Sequence, residues 1–463
     1  MSSALTYNRK LLVSVFNAQE AREAVLGGGG IIDSEDPKSA LGSISPSHIM
    51  DISDAVLDFK RGAEIQLSTN IGEDQLQFRR SQTGEAIVKS TIEMAGKSAQ
   101  VAIGVAISMG TKVNSVSYVK VGVDGMPVEQ VGAVLAEVVN TLNRTETSSH
   151  CQVMSVFFGQ NFQLWNERKN HETVRKVLVG LREFNPTFET DPLGFDIAPY
   201  SVNTLRDLDT GDFLFTDPSQ VSLATLVFHG ILPPGSNSTR IRVNELFEHQ
   251  KYFPQIASGT IRTNKAVIKA MVDVTADSGA NAIMIDTSIL SKVSNICLVD
   301  TMDGAFVDFN SLVFQDGMQL RGILPLEDIR FFVDYCHSRG LAVNLAGSIE
   351  SYQAQQLWVL VPEIDQISTR SSSSAIAVDP SNAALQGADT RQFRVIKRNL
   401  VRGLAAPEYG GVLNIPARFR GSREAAPRIQ ELIETIREGR KKLGFPELKT
   451  FWADPFGNLE DLK

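Results

Sequence analysis

Short apolar runs alternate with amphipathic stretches along most of the chain. Residues 10–16, "KLLVSVF", have the length and composition of a buried strand. Residues 17–28, "NAQEAREAVLGG", place apolar positions at helical spacing and stop at glycine. The same couplet recurs. A strand at 30–35 precedes a helix at 45–62, with Ser45 as N-cap, Pro46 in the first turn and Gly62 past the end. Strands follow at 63–74, 115–125 and 152–160, with helices at 84–110 and 127–143 between them. The rhythm breaks over 161–255, where loop-like stretches such as "LPPGSNSTR" interrupt it. It resumes with a helix at 265–279 and a strand at 281–289. Next come a helix at 326–340, a strand at 341–349, a helix at 351–361, a strand at 363–374 and a helix at 390–404. A charged helix is expected at 422–444.

Eight strands alternating with eight helices predict an α/β fold of the (β/α)8 TIM-barrel type. Four regions follow: 10–160 as the first part of the barrel, 161–255 as an insertion after strand five, 256–404 as the second part, and 405–463 as a C-terminal helical extension. The competing arrangement is an open doubly wound sheet. It would need a phosphate-binding GxGxxG turn after the first strand, and "GGGG" at 27–30 lies before a strand instead.

Composition narrows the function. The chain has 463 residues, 43% of them hydrophobic and 21% charged, with a net charge of −8. No long basic run suits nucleic acid or an anionic membrane, so neither is expected as a partner. Three scattered cysteines make neither a disulfide framework nor a zinc site, which fits a reducing, cytoplasmic setting. The six histidines form no HxH or HExxH spacing, and no metal or other cofactor is expected. A homo-oligomer is expected by fold-level analogy.

In such barrels, reactive groups stand at the C-terminal strand ends. Asp33 and Glu35 end strand two with equal parity and so share a face. Lys120 lies among valines in strand four, and Asp286 ends strand six. An inward lysine there is costly unless paired. It is either a salt-bridged strut or an amine tuned by burial and carboxylates for acid–base or Schiff-base work; with the opposite parity it would point outward. Asp33, Asp124 and Asp286 are its candidate salt-bridge partners. Gly347 and Ser348 follow strand seven, and Arg370 and Ser371 follow strand eight, the two loops where many barrels hold a phosphate.

These residues resemble a known family. "LLVSVFNAQEAREAVLGGGGIIDSEDPKSALGSI", "SYVKVGVDG", "AIMIDT" and "LAGSI" are similar to stretches of the (5-formylfuran-3-yl)methyl phosphate synthase family, aldolase-like barrels. The resemblance covers roughly 10–160 and 256–402. It implies condensation of two triose phosphates, with Asp33, Lys120 and Asp286 at the family's acid and lysine positions. The family's lysine two residues after the first aspartate, taken to form its Schiff base, is Glu35 here. A second lysine, four residues after the strand-six aspartate, is Leu290. A carboxylate forms no imine. The expectation is therefore an aldolase- or lyase-like enzyme for a small phosphorylated carbonyl substrate, using Lys120 with Asp33 and Asp286. The alternative is an altered or inactive barrel that serves as a ligand-binding or assembly protein.

Overall fold

Eight parallel strands close into a barrel in the computed structural model, which describes residues 9–35, 44–59, 64–71, 116–123, 128–144, 149–158, 195–196, 240–241, 264–286, 297–299, 324–370, 374–377, 394–423, 425–454 and 457–462. The barrel strands are β1 (Lys10–Val15), β2 (Ile31–Ser34), β3 (Gln66–Asn70), β4 (Tyr118–Gly122), β5 (Gln152–Phe158), β6 (Ala282–Asp286), β7 (Ala342–Leu345) and β8 (Gln366–Thr369). Each pairs with its neighbour in chain order, and β8 closes onto β1. The (β/α)8 expectation holds.

The helices on the outside are α1 (Ala18–Gly27), α2 (Pro46–Leu57), α3 (Val128–Asn143), α4 (Asn264–Asp277), α5 (Leu326–Ser338), α6 (Ser351–Leu360) and α7 (Arg398–Leu404). Local chemistry sets their ends. Asn17 caps α1 by accepting from the Glu20 amide, and Ser45 caps α2 by accepting from the His48 amide. The four-glycine run has a steric cause. Gly28 closes α1 with φ of 99°, and a Cβ on Gly27 would lie 2.6 Å from Val401 of α7.

Two apolar layers form around the sheet. Outward strand residues such as Leu11, Val13, Ile32 and Val119 pack against the helices. Inward residues, including Leu12, Ile31, Tyr118, Met154 and Met284, fill the barrel axis. Below them the interior is polar but paired. Lys10 donates to Gln66, Asn344 to Gln366 and Ser368 to Asn344.

The region between β5 and α4 contains a short antiparallel pair, Phe195–Asp196 with Arg240–Ile241. The rest of the expected insertion and the expected helix at 84–110 lie outside the described residues. Two expectations need correction. The helix expected over 390–404 is a strand, β10 (Arg394–Ile396), followed by α7; β10 pairs antiparallel with β9 (Ala375–Ala377). The C-terminal extension is not helical throughout. It is β11 (Gly411–Pro416), α8 (Ala425–Lys442), β12 (Leu448–Ala453) and β13 (Leu459–Asp461), with β11 and β12 parallel and β13 antiparallel to β12. Strands this short carry little signal of their own, and pairing across the 18-residue α8 stabilises them.

Candidate active site

The parity read from the sequence places the site. Asp33 lies two residues beyond Ile31, and Lys120 two beyond Tyr118; both apolar residues face the barrel axis. Strand register then fixes the neighbours. Ser14 stands opposite Asp33, Asp33 opposite Ser68, and Asn70 opposite Lys120. All of these lie at the C-terminal mouth of the barrel.

The ammonium of Lys120 donates to Asp33 Oδ2 at 2.6 Å and reaches Glu35 Oε2 at 3.4 Å. Ser14 Oγ donates to the same Asp33 oxygen at 2.9 Å, and Asn70 Nδ2 donates to Glu35 Oε2 at 3.4 Å. Asp33, Lys120, Glu35 and Asp286 are 0%, 3%, 4% and 5% exposed, so water contributes little to solvating these charges. Burial by itself lowers the Lys120 pKa. The charges of Asp33, Glu35 and Asp286 and the hydrogen bond to Asp33 outweigh it, and the net shift is upward. The group therefore stays an ammonium at neutral pH. Three acids face one lysine, so the cluster suits donors and cations better than anions. Among the described residues, no group of three histidine, cysteine or acidic side chains is placed to hold a metal ion.

The two rim loops differ from this acidic floor. After β7, Gly347 and Ser348 both have positive φ, 109° and 52°, and Ser348 is the one non-glycine residue so strained among those described. The following helix α6 is closed by a capping box of Glu350 and Gln353. After β8, Arg370 Nη1 donates to the Ser14 carbonyl at 2.8 Å and to Glu20 at 3.0 Å. Its Nε is buried and has no partner among the described residues. Glu20 also accepts from the Phe16 amide at 2.7 Å, so one carboxylate joins the start of α1 to the end of β8. Ser371 lies outside the described residues.

The structure thus gathers Asp33, Glu35, Lys120 and Asp286 into one buried cluster, with Gly347, Ser348 and Arg370 at the ends of β7 and β8. Reasoning on the sequence placed Asn70 at the end of strand three but missed Ser14, Ser68 and Glu20. Ser14 and Ser68 had a usable signal, since polar residues at alternate positions of "LVSV" and "LSTN" share the face of Asp33 and Lys120.

Residues 11–177 match the family model described as 4-HFC-P synthase. Asp33, Glu35 and Lys120 lie inside the matched stretch; Asp286, Gly347, Ser348 and Arg370 lie beyond it. No curated protein matches the chain. Among solved structures, a protein of Burkholderia cenocepacia J2315 described as a lyase/mutase aligns at 9% identity with a TM-score of 0.35, covering 79% of this chain and 77% of its own. The CBM22-1–GH10 modules of endo-1,4-beta-D-xylanase 10B from Clostridium thermocellum align at 7% identity with a TM-score of 0.36, covering 86% and 66%. Similarities this low carry no argument about the chemistry.

Proposed function

We propose, on the premise that this chain belongs to the (5-formylfuran-3-yl)methyl phosphate synthase family, that it is a lyase-type barrel enzyme acting on a small phosphorylated carbonyl compound through acid–base chemistry. One observation carries the reading: the Lys120 ammonium, 2.6 Å from Asp33 in a buried cluster at the barrel mouth. In this reading Lys120 donates to the substrate carbonyl oxygen while an acid of the cluster removes the adjacent C–H proton. The electron pair of that bond moves into an enolate, and the ammonium stabilises its oxygen. The enolate then adds to an aldehyde or expels a β-leaving group.

Two features favour this route over an imine. Lys120 must first lose a proton to become nucleophilic, and its acidic neighbours oppose that loss. Glu35, where the family carries a lysine, belongs to the same ion cluster. The phosphate belongs on the rim, away from the three acids. Gly347, Ser348, Ser371 and the unpartnered Nε edge of Arg370 are its proposed ligands.

The test is proton exchange. Dihydroxyacetone phosphate and glyceraldehyde 3-phosphate in D2O are incubated with the full chain, and loss of the α-proton signal is followed by NMR. Lys120→Met should slow exchange by about 10²- to 10⁴-fold. Equal exchange by wild type and variant would sink the catalytic role of Lys120. Borohydride trapping should add no mass to the Lys120 peptide, whereas an adduct there would restore the imine route. A second reading, ligand binding without turnover, is supported by the substitution at Glu35. Calorimetric binding of these compounds with no exchange would select it.

A further inference from the structure

The ion cluster uses only part of its own hydrogen-bonding capacity. Asp33 Oδ2 accepts from both Ser14 and Lys120, yet Asp33 Oδ1 is buried with no partner among the described residues. Asn70 turns Nδ2 toward Glu35. A carboxylate accepts only from that end of the amide, which leaves Asn70 Oδ1 buried and unpartnered. Ser68 Oγ is likewise unpartnered, on a residue that is fully buried. Their residues are neighbours by register. Ser68 stands opposite Asp33 across β2 and β3, and Asn70 follows Ser68 on the same inward face.

Native proteins rarely leave three such atoms unpaired, because each costs roughly 1–3 kcal/mol when nothing replaces its water. Their types specify the missing partner. Two are oxygens that only accept, and the third is a hydroxyl that donates or accepts. An anion meets repulsion from Asp33 here, and an apolar group satisfies nothing. Water donates to both acceptors and accepts from Ser68; an alcohol hydroxyl donates to one of them and accepts from Ser68.

We infer that Asp33 Oδ1, Ser68 Oγ and Asn70 Oδ1 form a hydroxyl-binding subsite on the β2–β3 wall, filled by water in the unliganded protein and by a hydroxyl of the substrate in the complex. It orients the substrate with the hydroxylated carbon toward β2 and β3 and the phosphate toward the β7 and β8 rim. The orientation rests on the proposed function, whereas the water site does not. Ser68 is then a specificity-determining residue that takes no part in the ion cluster.

Two measurements test this on the full chain. A high-resolution crystal structure without ligand should show an ordered water within about 3 Å of Asp33 Oδ1 and of Ser68 Oγ or Asn70 Oδ1. A dry wall overturns the inference. Calorimetry then compares dihydroxyacetone phosphate with phosphooxyacetone, which lacks the hydroxyl. Wild type should prefer the hydroxylated probe by about tenfold, the scale of one hydrogen bond to a buried partner. Ser68→Ala should erase that preference while binding phosphooxyacetone unchanged. Equal affinity of wild type for the two probes, or a preference that survives in Ser68→Ala, overturns the subsite. If neither phosphate probe binds but glycerol displaces the water in a soaked crystal, the subsite stands and the phosphorylated-substrate reading falls. If glycerol leaves the water in place as well, the subsite falls too.

Discussion

Asp33 holds the nearest charge to Lys120, so its removal tests what keeps an ammonium inside the barrel. Asp33→Asn preserves shape and deletes charge. It leaves Lys120 with Glu35 at 3.4 Å and the more remote field of Asp286. Breaking one partner of a buried ion pair costs about 3 kcal/mol, which urea unfolding should read directly. A loss below about 1 kcal/mol would mean that the other acids suffice to hold the ammonium. The upward shift of Lys120 also sets a pH window. The folded pKa is raised, so the contribution of this lysine is complete below its ordinary value of about 10.4 and declines only as pH rises through the higher folded value. An activity profile at the proposed site should therefore show no lysine-dependent fall between neutral pH and about 10. A fall near pH 8 would mean that a different group limits the reaction.

Helix α6 shows how an element depends on what covers it. Its sequence, "SYQAQQLWVL", spreads glutamines and apolar residues around the helix with no single polar face. In the structure residues 351–358 are all buried, Gln353, Gln355 and Gln356 completely so. The C-terminal unit supplies partners for Gln355. Arg440 of α8, 2% exposed, donates to Gln355 Oε1 and to the carbonyls of Pro407 and Pro446. Burial lowers the pKa of this guanidinium, partly offset by Glu408. Arg440→Met keeps much of the apolar stem but strands three acceptors, with an expected cost of about 3 kcal/mol in denaturant unfolding. At the opposite end of α5, His337 Nε2 lies 2.9 Å from Asp365 Oδ2, which also accepts from the Val343 amide. That hydrogen bond, followed by the charges of Asp365, Asp334 and Glu363, raises the histidine pKa against the opposing effect of burial. The stabilisation is therefore full below the ordinary value of about 6.5 and is lost as pH rises through the raised folded value. Melting temperature should fall across that window in wild type and stay flatter in His337→Gln.

For the whole molecule, the barrel and the C-terminal unit share a core. Tyr352 of α6 packs in one apolar cluster with Leu413, Ile415, Phe419 and the α8 residues Ile429, Leu432 and Ile436. Trp358 donates to the Leu404 carbonyl at 3.1 Å, and the Ser351 hydroxyl accepts from the Asn414 amide at 3.0 Å. A chain ending at residue 404 would strip Gln355 of its partners Ala405 and Arg440 and expose Tyr352. It should lose cooperative unfolding or precipitate. A soluble truncation with the wild-type melting temperature would show instead that the unit is an independent domain. Among the described residues no helix is long and apolar enough to cross a membrane.

Periodicity alone determined the order of the barrel strands, because each buried strand and its following helix repeat a local pattern that needs no distant partner to be read. Parity within β2 also put Asp33 and Glu35 on one face, but a two-residue repeat does not say which of its two sides faces inward, so the direction of Lys120 stayed open. The tertiary structure decided the rest. Which acid holds Lys120, that Glu20 engages Arg370, that α6 is covered on both sides, and that β11 pairs with β12 across a helix are all contacts between residues far apart in the chain. They depend on strand register and packing, and those are set only when the barrel closes and the last unit docks upon it.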